Sequence, residues 1–147
     1  MISIGPLQAG DRAEWEALFV GYMAFYERTL PPETYARAWE RFRADREIHA
    51  LGARLDGELV GIVHFLRHAH TSEPGGVCYL QDLFTAEAVR GKGVARALIA
   101  AVCDWAGKQG CSRVYWMTHA TNARARRLYD QVAENRGFIR YQIELAS

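Results

Sequence analysis

The order of hydrophobic periods along this 147-residue chain predicts an α/β fold in which a central mixed sheet carries helices on both faces. Three observations point to it. Helix-spaced apolar positions come first, two alternating runs around Asp56-Gly57 then mark an antiparallel hairpin, and from residue 76 the pattern reads strand, helix, strand, helix, strand. The length suffices for one domain with a real core and is short for two, so residues 1–147 are read as a single domain.

Each element has its own local reason. Residues 2–5 form a short strand. From Arg12, the apolar positions Trp15, Leu18, Phe19, Tyr22 and Phe25 or Tyr26 recur on one helix face, and that helix ends before Pro31-Pro32. A second helix begins at Pro32, because a first turn tolerates proline, and sets Tyr35, Trp39 and Phe42 on one side. The stretch IHALGARLDGELVGIVHFLRHAH holds two strands joined by Asp56-Gly57, a pair suited to a turn whose central positions both need positive φ. Pro74-Gly75-Gly76 reads as a loop. In GVCYLQDLFT, residues 76–85, alternation puts Val77, Tyr79, Gln81 and Leu83 on one face and Cys78, Leu80, Asp82 and Phe84 on the other. Both sets are largely apolar, which makes the strand central. Val94, Ala97, Leu98, Ala101, Val102 and Trp105 stripe a helix ending near Gly107 and Gly110. RVYWMT, residues 113–118, is a buried strand; residues 122 to about 134 form a helix with Ala125, Leu128, Tyr129 and Val132 on one face; GFIRYQIEL closes the chain as an alternating strand.

Composition removes several classes of function. Lys and Arg exceed Asp and Glu by one, 18 against 17, so no basic field is present to neutralise nucleic-acid phosphates. The start lacks a basic stretch followed by an apolar run, and the apolar stretch 93–107 is broken by Arg96 and Asp104, which predicts no membrane association. Cys78, Cys103 and Cys111 are odd in number and without CxxC spacing, which suits reduced, buried thiols in a cytoplasmic protein.

The segment VRGKGVARAL, residues 89–98, runs from a central strand into a helix. A glycine-rich turn before a helix N-terminus can hold an anion on unpaired N–H groups, although glycine also simply ends strands. Two common nucleotide loops fail: a dinucleotide loop would need glycine at Arg96, and a phosphate loop would need Ser or Thr at Gly93. What remains is an arginine followed after three and five residues by Gly93 and Ala95. This pattern, with YLQDLF before it and VYWMTHATNARARRLYDQV and GFIRY after it, resembles the GNAT superfamily of N-acetyltransferases over roughly residues 50–145. YLQDLF, the VYW strand and N-x-x-A-x-x-L-Y look most similar to its polyamine and histone acetyltransferase-like branch.

The resemblance implies the GNAT acyl-CoA N-acyltransferase fold, acetyl-CoA as cosubstrate, and a primary amine, on a small molecule or a peptide, as acceptor. It implies that the backbone of Leu83, Phe84 and Thr85 pairs with the pantetheine arm. N–H groups from Arg90, Gly91, Lys92, Gly93, Val94 and Ala95 would hold the pyrophosphate, with charge added by Arg90 and Lys92. Asn122 is a helix N-cap by its position, and the resemblance adds a contact with the cofactor arm. A homodimer is common in that branch, but no stretch here specifies its interface.

An alkyl amine of ordinary basicity is neutral in only about one molecule in 2,500 at pH 7, a penalty of about 4.6 kcal/mol, so a base is useful. The family tyrosine that protonates the leaving thiolate falls on Tyr129, which also lies on an apolar helix stripe where a packed tyrosine would be unremarked. The family base does not carry over, because Gln81 stands where the branch has glutamate. By alternation Asp82 faces away from position 81; it would bind a cationic substrate or cap a backbone group. His64, His68, His70 and His119 are further candidates for the base. The first three share a strand parity, which raises the thought of zinc, but the loop at residues 74–76 removes the parity argument and no metal is expected. In the superfamily the first two helices wall the acceptor, and Tyr26, Glu33 and Tyr35 near the proline turn are candidates to meet a cationic amine. A contrasting reading, prompted by Gln81, is a CoA or acyl-CoA sensor that has lost transfer. Tyr129 favours the enzyme, since a pure binder needs no thiolate acid.

Overall fold

A computed structural model describes residues 1–146 of the chain. These fall into two compact units, Met1–Met117 and the segment from Thr118 onward. The first unit runs β1 (Ile2–Pro6), α1 (Arg12–Phe25), α2 (Pro32–Ala44), β2 (His49–Leu55), β3 (Glu58–His70), β4 (Glu73–Thr85), α3 (Val94–Lys108) and β5 (Val114–Tyr115). Its strands lie in the order β1-β2-β3-β4-β5, antiparallel except for the parallel pair β4 and β5.

Local chemistry sets several of these boundaries. Pro32 opens α2 at a position where its missing N–H costs nothing. Asp56 and Gly57 have φ of 51° and 84°, the paired positive values that the two-residue hairpin demands. Ahead of α1, the buried Asp11 accepts the Gln8 N–H at 2.6 Å and pairs with Arg54. Burial works to raise its pKa, but these partners hold it below the usual carboxylate value.

Successive residues of β3 show how the sheet is covered. A Cβ at Gly61 would lie 2.9 Å from Val94 and 3.1 Å from Leu98, so the absent side chain lets α3 sit close to the strand. The next residue, Ile62, joins Trp15, Phe19, Met23, Tyr35 and Trp39 in a core beneath α1 and α2. The two faces are therefore α3 on one side and α1 with α2 on the other. No described helix is long and apolar enough to cross a membrane.

Four expectations are corrected. First, β4 begins at Glu73 and includes Pro74-Gly75-Gly76, with an irregularity against β3 between His68 and His70. A Cβ at Gly75 would fall 1.9 Å from the Gly110 carbonyl oxygen, so glycine there serves close backbone approach rather than a loop. Second, RVYWMT yields only Val114–Tyr115, and GFIRYQIEL forms no strand: Phe138, Ile139, Tyr141, Ile143 and Leu145 are 75–91% exposed. Alternation makes a segment capable of pairing, but pairing needs an edge to accept it.

Third, Leu80 pairs with Phe65 and Asp82 with His64, leaving Gln81 as the extra residue of a β-bulge. Leu80 thus follows Phe65, whose ring packs 4.9 Å from Trp105 of α3, whereas Asp82 and Phe84 follow His64 and Ile62 to the α1 and α2 face. The bulge breaks the parity that placed Leu80 and Asp82 together. Fourth, only Cys78 is buried; Cys103 is exposed and Cys111 is intermediate.

The second unit is built on α4 (Ala123–Val132). Asn122 caps it as expected, its side-chain oxygen accepting the Ala125 N–H at 3.3 Å.

Candidate active site

Between β4 and α3 the chain makes one 3₁₀ turn, Glu87–Val89, and then four residues to Gly93, the N-cap of α3. Gly91 and Gly93 have φ of 83° and 85°. Left-handed backbone favours glycine there, and a Cβ at either position would meet nothing within 4 Å, so the loop opens outward. No side chain caps α3, which leaves its first-turn N–H groups and positive dipole end to an incoming anion. The expected run of binding amides is narrower than Arg90 to Ala95. The Arg90 and Lys92 N–H groups already donate to Glu87 and Val89 carbonyls, each at 3.2 Å. Lys92 is exposed, while the Arg90 guanidinium lies 5.9 Å from the Phe84 ring centroid.

The strand that precedes this loop has a free side. β4 and β5 pair only at Cys78 with Val114 and Tyr79 with Tyr115, yet β4 continues to Thr85. Beyond Tyr79, β4 keeps a strand partner on its β3 side alone, where Leu83, Phe84 and Thr85 oppose Val63, Ile62 and Gly61. A strand paired on one side only has main-chain groups able to receive an extended, amide-bearing ligand. Gln81 is exposed at the bulge and Asp82 is half-buried beside it.

Asp82 has a partner that the sequence reading did not supply. Its Oδ2 lies 2.9 Å from Nδ1 of His64, whose side chain is 1% exposed, and Nε2 of that ring accepts the Trp15 indole N–H at 3.0 Å. Trp15 and His64 stand 49 residues apart, and no local pattern signals that they meet. The other strand histidines go elsewhere. His68 Nε2 meets the Tyr115 hydroxyl at 2.8 Å, and His70 meets Ser72 and Arg113. Among the described residues no His, Cys, Asp and Glu cluster of three or more could hold a metal. Burial pushes the Cys78 thiol up to about 12, which leaves it protonated and unsuited to nucleophilic attack.

The helical wall separates the acceptor candidates. Tyr26 is half-buried, 5.1 Å from the Tyr22 ring, and Glu33 is exposed in the first turn of α2. Tyr35 is only 5% exposed and packs edge-on against Phe19 at 5.4 Å, so its ring belongs to the core. In the second unit, Tyr129 is half-buried on α4, a helix with no fully buried residue.

An outward glycine turn thus lies at an uncapped helix start, following a strand that beyond Tyr79 is paired on its β3 side alone. The chain belongs to the acetyltransferase (GNAT) family, the acetyl-CoA-dependent N-acetyltransferases, which its sequence matches over residues 14–133. It is 33% identical over 136 residues to D-amino-acid N-acetyltransferase HPA3 of Saccharomyces cerevisiae, covering 90% of this chain and 84% of that protein. Over 102 residues it is 34% identical to an aminoglycoside N(6')-acetyltransferase type 1 of Serratia marcescens, covering 67% and 70%. Among solved structures, a ribosomal-protein-alanine N-acetyltransferase of Brucella melitensis superposes with a TM-score of 0.84 at 28% identity, covering 99% of this chain and 100% of that one. These relatives do not support the polyamine and histone acetyltransferase-like branch to which the motifs looked most similar.

The residues present fit acetyl-CoA. The φ values at Gly91 and Gly93, the open space beside them and the unpaired side of β4 each answer a different part of it. Gly93→Val is expected to strain the left-handed N-cap by about 1–3 kcal/mol and to weaken acetyl-CoA binding at least tenfold. Isothermal titration against the parent chain checks this, and unchanged affinity would remove the loop from the binding site.

Proposed function

We propose that this chain transfers the acetyl group of acetyl-CoA directly to the primary amine of a small molecule of the amino-acid or aminoglycoside type. The observation that carries the reading is the open glycine turn after β4, a strand paired on one side only beyond Tyr79, within a chain whose relatives are named for those acceptors. Tyr26 and Glu33 suit the cationic acceptor, offering an aromatic face and a carboxylate. In this reading acetyl-CoA, when bound, supplies an activated acyl carbon and a thiolate leaving group. The backbone of Leu83, Phe84 and Thr85 aligns the arm, the Gly91 to Ala95 turn holds the phosphates, Asn122 orders the start of α4, and the Tyr129 hydroxyl gives its proton to the departing sulfur. Three free cysteines are compatible with a reducing cytoplasm.

The test is release of free thiol from acetyl-CoA with D- and L-amino acids, aminoglycosides, polyamines and N-terminal peptides. Turnover is expected with an amino acid or aminoglycoside. Activity confined to peptides would move the acceptor to protein N-termini, and binding without turnover on any amine would favour the sensor that Gln81 first suggested.

The reading includes a homodimer. Within the second unit, five apolar side chains between Phe138 and Leu145 are 75–91% exposed along an alternating segment. A second copy of the chain would cover it. Sedimentation is expected to show a dimer that Ile139→Asp with Ile143→Asp converts to monomer; a monomeric parent chain would overturn this.

A further inference from the structure

The group that takes the amine proton is open, because Gln81 has no basic site. We propose that the Asp82 carboxylate is that group and that His64 is its positioning residue, fixed in one tautomer by Trp15. The inference rests on the acetyltransferase reading above and concerns the chain's own residues at that site.

The bulge supplies the first part of the argument. It aligns Asp82 with His64 on the α1 and α2 face of the sheet and places Asp82 immediately before Leu83–Thr85. An uninterrupted strand would have carried Asp82 to the face of Leu80, against α3. Gln81 is displaced into the bulge, where its amide has no capacity to accept the proton.

Hydrogen-bond chemistry supplies the second part. The Trp15 indole N–H can only donate, and it lies 3.0 Å from His64 Nε2 with no solvent exposure at Trp15. His64 Nε2 therefore presents a lone pair, its proton resides on Nδ1, and the Nδ1–H donates to Asp82 Oδ2 at 2.9 Å. Both ring nitrogens are engaged, Nε2 by the indole donor and Nδ1 by Asp82, which leaves the imidazole no free nitrogen to meet the amine. The ring is also held mechanically, stacked on Phe42 at 4.1 Å and edge-on to Phe19 at 4.9 Å. A histidine clamped this firmly holds one carboxylate oxygen in place. The Asp82 side chain remains 17% exposed, so the carboxylate is not sealed from solvent.

The step balances. The substrate ammonium pairs with Asp82 and passes one proton to its carboxylate, which returns it to water and leaves the nitrogen a lone pair. As that lone pair forms the N–C bond to the acetyl carbon, the C–S bond breaks with its electron pair passing to sulfur. The nitrogen loses a second proton, made strongly acidic by the new bond, to Asp82, and the departing thiolate takes up one proton, so that one proton in all is released to water. A carboxylate is a weak base toward an alkylammonium, so the first transfer yields a small neutral fraction that bond formation draws off, and strongly basic amines depend on it most.

The test uses the full chain and acceptor amines of graded basicity. Asp82→Asn is expected to lower turnover of a strongly basic alkyl amine by about 100-fold or more. A weakly basic amine, already neutral at the working pH, should lose less than about tenfold, and acetyl-CoA affinity should stay within about twofold. His64→Asn retains a donor toward Asp82 and should keep more activity than His64→Leu. Independently of activity, long-range nitrogen–proton NMR of the parent chain should show His64 protonated at Nδ1 and bare at Nε2. Equal loss across all amines, no loss at all, or the opposite tautomer would overturn the proposal. A parent chain that acetylates no amine would overturn the acetyltransferase reading instead, and the NMR result would still judge the His64–Asp82 arrangement.

Discussion

Trp15→Ala is expected to destabilise the chain by about 3–5 kcal/mol, the range for removing a large aromatic from a packed core. Trp15 has no solvent exposure, and its ring sits 5.5 Å from Phe19, 5.2 Å from Trp39 and 6.0 Å from Phe42. Removing it opens a cavity where α1, α2 and the sheet meet, and neighbours from three elements cannot all move to close it. It also strips His64 of its donor. Trp15→Phe separates the two losses: it keeps most of the ring but leaves Nε2 without its partner in a dry site, for about 1–3 kcal/mol. Urea unfolding with an unchanged slope measures both, and a loss below about 1 kcal/mol for Trp15→Ala would contradict the packing described.

Tyr129→Phe is expected to lower turnover by about 100-fold or more while leaving acetyl-CoA affinity near that of the parent chain. Expulsion of a thiolate develops negative charge on sulfur, and a positioned hydroxyl meets it by donating its proton. The substitution removes only that hydroxyl. Because Tyr129 is half-buried and α4 has no fully buried residue, little stability should be lost with it. Steady-state rates at saturating acetyl-CoA test the step, and parent-level turnover would remove Tyr129 from it. Equal falls in stability and rate would mark a packing role.

The parts legible in the sequence are those fixed by local geometry. Pro32 at a helix start, Asp56-Gly57 in a turn of two positive φ values, and Asn122 bonding back to Ala125 each depend on a few adjacent residues. The glycine turn before α3 belongs with them. Other features escaped because they depend on what lies across a strand. The bulge at Gln81 is defined by the register of β3, so alternation within β4 alone assigned Leu80 and Asp82 to one face. Tyr35 has the composition of a substrate contact, but the packing of Phe19 makes its ring part of the core.

The sequence by itself determined the family, the helices, the Asp56-Gly57 hairpin and the left-handed glycine turn before α3, because φ restrictions, capping chemistry and hydrophobic period act over a few residues and are written in them. Only the tertiary structure decided which carboxylate His64 and Trp15 reach. Trp15, His64 and Asp82 come from α1, β3 and β4, and their hydrogen bonds exist only once the sheet has its register and the helix lies on it. The C-terminal segment shows the same division. Its alternation is plain in GFIRYQIEL, but a strand forms only where a neighbouring edge accepts its backbone hydrogen bonds.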